Sequence, residues 1–529
     1  MTIPSNNVGL AVMTTLRNYG IDTIFGIPGT HNLEFYRHLK PLGIHAVTTR
    51  HEQGAGYGSD GWSQLTGRPG VVITTSGPGL LNALSAAATS YCESRPMIIL
   101  SPGTPRGSEF SDIGLLHETR DPTGAVRALI VRSTRVQSGS EAVELVHEAF
   151  RLFAHGRPRP VHIEIPLDVL EGPSDVPEDA LAARPLGAPK KADDDAVEAA
   201  ADILRNASKP VILAGGGSLG TGGFLLELAE TLQAPVVTTI NGKGAIPESH
   251  PLSLGSEIRL AAAQDLCNGA DALLVIGSKV GESELWGGKM VPQGTCIRID
   301  IDPAQLSCNL EPELALEGNA AAVVPQLLAA LKGHRAAGAP DLAPLRQQLR
   351  QEARDMAPVL SRINEILAEA LPADTVIAGD SSQITYFGTT SFFPMQQPHQ
   401  LLYTPAYATL GYGLPAAIGA KVADPERPVV CLLGDGALMF AVQEFITAVE
   451  QGVDLPIICV DNGGYGEIKQ NMADRDLEPV GVDLVQPDWV RMAEGFGLTG
   501  FAVESLDDLA ATVTKALAVK GPSLVHVSI

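Results

Sequence analysis

Residues 430–440 read VCLLGDGALMF. An apolar run of strand type stops at Gly434-Asp435-Gly436, and a helical pattern begins at once. The run ALMFAVQEFITAVEQG carries apolar residues at helical spacing from a start at Ala437 to a stop at Gly452. LPIICV follows as a second strand and closes on Asp461-Asn462-Gly463-Gly464. This is one βαβ unit. Both of its strands run the same way, so Asp435 and Asn462 leave the sheet at the same carboxyl edge. If the strands are neighbours, they lie about 5 Å apart. A carboxylate and an amide oxygen meeting there suit a hard cation such as Mg²⁺ that also shares phosphate oxygens. The glycines let backbone N–H groups approach a phosphate, and a helix start at Ala437 adds a favourable dipole. Taken singly, Asp-Gly and Asn-Gly are ordinary turn dipeptides. Their placement on consecutive strands is what points to a site.

Outward from this unit, the 529 residues divide into three blocks. Two stretches rich in Pro, Ala and charge, residues 171–196 and 333–346, separate them. The domains are read as 1–172, 190–335 and 355–529. Each block alternates β-rich runs with helical patterns. Block one has GVVITTSGPG, the helix-like LLNALSAAATSYCES, then PMIILSPG. Block two has PVILAGGG, APVVTTI, ADALLVIGS and CIRIDIDP. Block three has PVVCLLGDG, LPIICVDN and PSLVHVSI. Near-continuous apolar strands between helices predict an α/β protein of three doubly wound parallel-sheet domains, covered on both faces. Blocks one and three share a plan of strand, Gly-rich turn and helix.

Thirty-seven basic residues against 60 acidic ones give a net charge of -23, which argues against nucleic acid or an anionic membrane as partner. Residues 1–20 lack the pattern of a secretory signal, and no apolar run reaches about 18 residues, so a cytoplasmic protein is expected. The six cysteines form no C-x-x-C and read as small buried residues.

GDG followed by DNGGYG resembles the thiamine diphosphate motif, whose usual ending is Asn-Asn; here Asp461 takes the first Asn position and Asn462 the second. ATLGYGLPAAIGA (408–420) and AGDSSQ (378–383) resemble two further cofactor-binding stretches. FGIPGTHNLEFY and TTRHEQGAGYGSDGWSQLTGRPGVVITTSGPG closely resemble the pyrimidine-binding domain of the same proteins. The chain is identified, over nearly its whole length, as a member of the thiamine diphosphate-dependent 2-oxo acid decarboxylase and acetolactate synthase family. The resemblance names the three domains pyrimidine-binding, middle Rossmann-like and diphosphate-binding.

It also implies roles. Asp435, Asn462 and the backbone carbonyl of Gly464 would hold Mg²⁺. Ser381, Ser382, Gly436, Ala437, Asn462, Gly464 and Tyr465 would bind the cofactor, with Leu410 as the apolar wedge between its rings and the backbone of Ala408 accepting from its aminopyrimidine. Glu52 would bond a pyrimidine ring nitrogen, favour the imino tautomer that takes the C2 proton, and be shielded from water. His31, His51 and His117 are polar candidates, of which His31 and His117 are preferred as proton donors. Thr30 and Ile468 would face substrate. Glu282, Glu284 and Trp286 are candidates for the substrate entrance, where acids would suit a guanidino group. Gly215, Gly217 and Gly220 form G-x-G-x-x-G, a lone match. It corresponds to the FAD-binding domain of acetolactate synthases, and a structural role is preferred to FAD binding.

The expected activity is non-oxidative decarboxylation of a 2-oxo acid, with carboligation as a companion activity. The alternatives are an acetolactate synthase-type carboligase and a catalytically silent binding subunit. A chain ending at GPSLVHVSI lacks the C-terminal extension of standard acetolactate synthases, and the Glu that follows the Asn-Asn motif in pyruvate decarboxylases falls on Ile468, beside Glu467. The family builds its sites between subunits, so a homodimer or homotetramer is implied.

Overall fold

The computed structural model describes residues 6–336, 338 and 340–529. Residues 1–5 of the N-terminal reading and Ala337 and Ala339 of the second linker lie outside them.

Among the described residues, seventeen strands form three sheets, and every strand pair is parallel. The first holds β1 (Thr23–Gly26), β2 (His45–Thr48), β3 (Gly70–Ile73), β4 (Met97–Gly103), β5 (Arg132–Arg135) and β6 (Val161–Pro166), in the order β2-β1-β3-β4-β6-β5. The second holds β7 (Pro210–Ala214), β8 (Val236–Thr238), β9 (Ala272–Ile276), β10 (Thr295–Asp300) and β11 (Leu314–Glu317), ordered β11-β10-β9-β7-β8. The third holds β12 (Val376–Gly379), β13 (Leu401–Leu402), β14 (Val429–Gly434), β15 (Pro456–Asp461), β16 (Thr499–Val503) and β17 (Ser523–Ser528), ordered β13-β12-β14-β15-β17-β16. The first and third orders are the same permutation, so the shared plan seen in the sequence is a shared topology. The central strands β3, β4, β9, β12 and β15 are buried along their whole length, as sheets covered on both faces require.

The first and third domains of one chain meet through the helices Glu52–Thr66 and Gly413–Ala423. A Cβ at Gly61 would fall 2.1 Å from the Ala416 carbonyl oxygen, and one at Gly419 would fall 1.9 Å from that of Gly58. Only glycine lets these backbones touch. Beside them a buried ion pair, Arg95–Asp60 at 2.6 Å, takes a hydrogen bond from the Tyr412 hydroxyl, and Arg95 also donates to the Tyr403 carbonyl. These partners satisfy the buried charges.

One local expectation is corrected. The helix after the glycine turn starts at Asp435, not Ala437, and lasts only to Leu438; a 3₁₀ turn at Val442–Glu444 and the helix Phe445–Gln451 follow. The break lets Gly411, at φ +86°, pass close to Phe440. So short a helix contributes little dipole. Within the two separating stretches, helices begin at Asp194 and Ala343. Cys267, Cys296, Cys431 and Cys459 are buried, and Cys92 and Cys308 are half-buried.

Candidate active site

A cavity of about 520 Å³ opens at the carboxyl edge of the third sheet. It lies where the strand order reverses, between β12 and β14, the place where open α/β sheets take ligands. β14 pairs with β15 and places Gly434 opposite Val460, so Asp435 and Asn462 emerge side by side. One terminal atom of the Asn462 amide lies 2.9 Å from the Gly464 carbonyl oxygen and 3.3 Å from Asp435 Oδ1. With its nitrogen inward the amide donates to both. With its oxygen inward, three oxygens converge as a hard cation requires. Asp435 Oδ2 accepts from Gln486 Nε2 at 2.8 Å, and the carboxyl holds its proton above the usual range because it is buried and faces Asp461.

Asp461, at the departure from Asn-Asn, is tied into the domain rather than the cavity. It accepts from Trp489 Nε1 at 3.1 Å, bonds His526 Nε2 at 2.9 Å, and accepts the Gly463 N–H.

Ser381 Oγ is buried without a partner at the edge of the same cavity, in keeping with a donor held for a ligand oxygen. Ser382 Oγ accepts the Gly434 N–H at 2.9 Å and so spans the switch point. Ala408, Leu410, Gly436, Ala437, Tyr465 and Ile468 also line the cavity. Ala408 stands at φ +52°, a strained setting for a residue with a Cβ.

The loop carrying Ala408 and Leu410 is held at both ends by buried carboxylates that the sequence reading missed. Glu93 of the first domain accepts the N–H groups of Ala406 and Tyr407. Asp380 accepts those of Gly411 and Gly413, at 3.1 and 2.7 Å, and of Ser381. Burial pushes Asp380 up to about 6 against these bonds. A short Asp or Glu after a strand or at a helix end gives no periodic signal, so neither stood out.

The first domain gathers a second group of residues around the turn after β3. Glu52 opens the helix Glu52–Thr66, is buried, and accepts from Asn82 Nδ2 at 3.0 Å. Its Oε1 lies so close to Gly79 that a Cβ there would sit 2.9 Å away. His31 Nδ1 is 2.6 Å from Ser76 Oγ, and its ring meets that of His117 edge to face at 5.3 Å. Burial first, and then His117, lowers the His31 pKa, which favours the neutral ring. His117 stands at φ +59°, and its Nδ1 is buried without a partner. Thr30 is exposed on the adjacent loop.

Glu52, Thr30, His31 and His117 do not line the third-sheet cavity of their own chain. His51 Nδ1 caps the helix Glu52–Thr66 by accepting the Gln53 N–H. Of the entrance candidates, Trp286 lines the cavity and Glu282 and Glu284 do not. Glu284 turns inward onto Ser278 Oγ and the Gly281 N–H.

Three parallel-sheet domains, a cleft at the switch point of the last and a buried glutamate on the matching edge of the first define a multidomain α/β enzyme. Family models for the thiamine pyrophosphate enzyme N-terminal, central and C-terminal domains match residues 6–121, 197–327 and 382–527. The chain belongs to the thiamine pyrophosphate enzyme family. It is 36% identical, over 98% of its length and 93% of the relative's, to the Pseudomonas aeruginosa protein named "Probable 2-ketoarginine decarboxylase AruI". It is 31% identical to the "Probable acetolactate synthase large subunit" of Methanocaldococcus jannaschii, covering 98% of this chain and 91% of that one. It is 30% identical to the "Acetolactate synthase isozyme 1 large subunit" of Escherichia coli, covering 97% and 92%.

Proposed function

We propose that the protein decarboxylates a 2-oxo acid non-oxidatively, using thiamine diphosphate and Mg²⁺, with 2-ketoarginine as the first candidate substrate. The observation that carries this is the meeting of Asp435, Asn462 and the Gly464 carbonyl beside the unpartnered Ser381 hydroxyl. A carboxylate, an amide and a carbonyl are the oxygen donors Mg²⁺ prefers, and Ser381 Oγ can donate to a phosphate oxygen. No Lys, Arg or His lines the cavity among the described residues, so a cation is the natural neutraliser of a diphosphate there.

Thiamine diphosphate, when bound, supplies the nucleophilic carbon and the electron sink for CO₂ loss. Asp435, Asn462 and Gly464 hold the metal. Leu410 and the Ala408 backbone orient the cofactor rings. Glu52 holds a proton at a pyrimidine ring nitrogen, shielded by burial. His31 and His117 donate protons to the reacting carbon or oxygen, with Thr30 and Ile468 beside the substrate.

Glu52 and the cavity of the same chain are separate, which supports a homodimer or homotetramer in which one subunit's Glu52 serves the partner's cavity. Phe110, Ile113 and Leu116 stand exposed on the segment leading to His117, as surfaces awaiting a second copy do. Domain limits of 1–172, 190–335 and 355–529 and a cytoplasmic setting complete the reading. A structural role for the Gly215–Gly220 turn is supported by its amides. Gly215 N–H donates to the Ile276 carbonyl, Gly217 N–H to that of Gly277 and Ser218 N–H to that of Gly215, which leaves few for FAD.

The test is CO₂ release by purified protein from pyruvate, benzoylformate and 2-ketoarginine, with thiamine diphosphate and Mg²⁺ added or withheld. Release that needs both supports the reading, and no release from any substrate with both present overturns it. The acetolactate synthase relatives favour a second reading, carboligation, for which acetolactate formation from pyruvate is the measure.

A further inference from the structure

We infer that Glu467 reads the far end of the substrate and makes this cavity selective for a 2-oxo acid with a cationic tail. This rests on the decarboxylase reading above and adds a residue to it.

Among the described residues, only two acids line the cavity, Asp435 and Glu467, and no basic side chain does. Asp435 belongs to the oxygen cluster. Glu467 sits in the first turn of the helix Gly466–Ala473, three positions beyond Gly464. Its Oε2 accepts from Gln383 Nε2 at 3.0 Å and from the Tyr386 hydroxyl at 3.4 Å. Its Oε1 accepts from no side chain or amide among the described residues. Burial first, and then Glu467, pushes the Tyr386 phenol far above its ordinary range, so the hydroxyl remains a donor.

The carboxylate is therefore fixed by one oxygen and open at the other. Tyr386 belongs to the π-helical turn Ile384–Thr389, and Trp286 of the second domain packs edge to face on it at 5.9 Å. Both rings line the cavity, whereas Arg259, stacked on Trp286 at 4.8 Å, does not.

An open carboxylate oxygen walled by aromatic rings suits a guanidinium or ammonium, through a charge-assisted hydrogen bond and ring faces. An anionic tail would meet the like charge of Glu467 with no basic side chain among the described cavity residues to offset it. A neutral tail would cover the Glu467 oxygen without answering its charge. The entrance acids expected from the sequence, Glu282 and Glu284, do not supply this charge. Glu467 does.

The test uses holoenzyme and two substrates of one shape, 2-ketoarginine and its neutral isostere 5-ureido-2-oxopentanoate. Wild type is expected to favour the cationic one about 100-fold or more in kcat/KM. In Glu467→Gln the preference should fall to about threefold or less, with the loss in KM for 2-ketoarginine, and Glu467→Asp should restore part of it. A role confined to tying Tyr386 would lower both substrates alike and leave the preference intact, which would overturn the inference. So would a wild type that favours the neutral isostere.

Propylguanidinium binding, followed by calorimetry on the same holoenzymes, needs no turnover. A Kd weakened about tenfold or more in Glu467→Gln supports the inference, and equal Kd values overturn it. If guanidinium binding depends on Glu467 while no 2-oxo acid is decarboxylated, the decarboxylase reading fails and Glu467 stands as the cation reader.

Discussion

Glu93, the last residue of a helix in the first domain, accepts the backbone N–H of Ala406 in the third domain at 2.9 Å. The same oxygen takes the Tyr407 N–H at 3.0 Å, and the other takes Asn241 Nδ2 of the second domain at 2.8 Å. One buried carboxylate thus ties all three domains to the loop that holds Ala408 and Leu410 in the cavity. Glu93→Ala leaves the Ala406 and Tyr407 amides without their shared acceptor and frees the loop, so thiamine diphosphate affinity should fall about 10- to 100-fold. Glu93→Gln keeps an acceptor oxygen and should lose less. Fluorescence titration of the three proteins checks this, and equal cofactor affinity would contradict it.

Asp435→Asn removes the only carboxylate of the oxygen cluster. The fold should survive, because Asp435 sits at a strand end, but Mg²⁺-dependent retention of the cofactor should drop about 100-fold, on the order of 3 kcal/mol. Equilibrium dialysis with and without a chelator reads it. Retention that ignores both substitution and chelator would show that the cation lies elsewhere.

Asp380 gives a pH dependence of stability. Its carboxyl is raised from 3.8 to about 6 by burial, so the folded protein holds the proton more tightly than the unfolded chain. Its contribution is therefore complete below about pH 4 and is lost as pH rises through about 6, amounting to about 3 kcal/mol at most. Asp380→Asn cannot titrate and lacks this slope. Unfolding temperatures of both proteins from pH 4.5 to 7.5 should diverge across the interval, with wild type losing ground as pH rises. Parallel curves would contradict it.

Glu52→Gln keeps the shape and the contact with Asn82 but cannot exchange a proton at the pyrimidine. Turnover should fall by about 10²–10⁴-fold while cofactor affinity changes little. Stopped-flow CO₂ release and calorimetric cofactor titration separate the two. Full activity in the variant would remove Glu52 from the proton chemistry.

Much of the third-domain half of the site was legible, because a strand that stops on Gly-Asp-Gly and another that stops on Asp-Asn-Gly-Gly carry their geometry in the βαβ rule. Asp435, Asn462 and Gly464 could be placed on one edge from that rule, whereas Leu410 was marked only by the family resemblance. Glu93 and Asp380 could not, since their partners are backbone amides about 300 and 30 positions away, and no local pattern marks an amide that needs an acceptor. Glu284 misled for a related reason. An acid two residues before Trp286 reads as an entrance charge, but the turn points it back at Ser278 and Gly281.

The sequence by itself determined that this is a three-domain parallel α/β protein, and it marked the edge that holds the oxygen cluster. Strand burial, strand polarity and glycine turns are local, and local patterns survive in one dimension. The tertiary structure decided which side chains share a cavity. It placed Glu467 inside and Glu282 outside, set His31 against His117, turned Asp461 toward Trp489 and His526, and separated Glu52 from the cavity of its own chain. Those outcomes depend on how elements far apart in sequence pack, and packing is fixed by the whole fold at once.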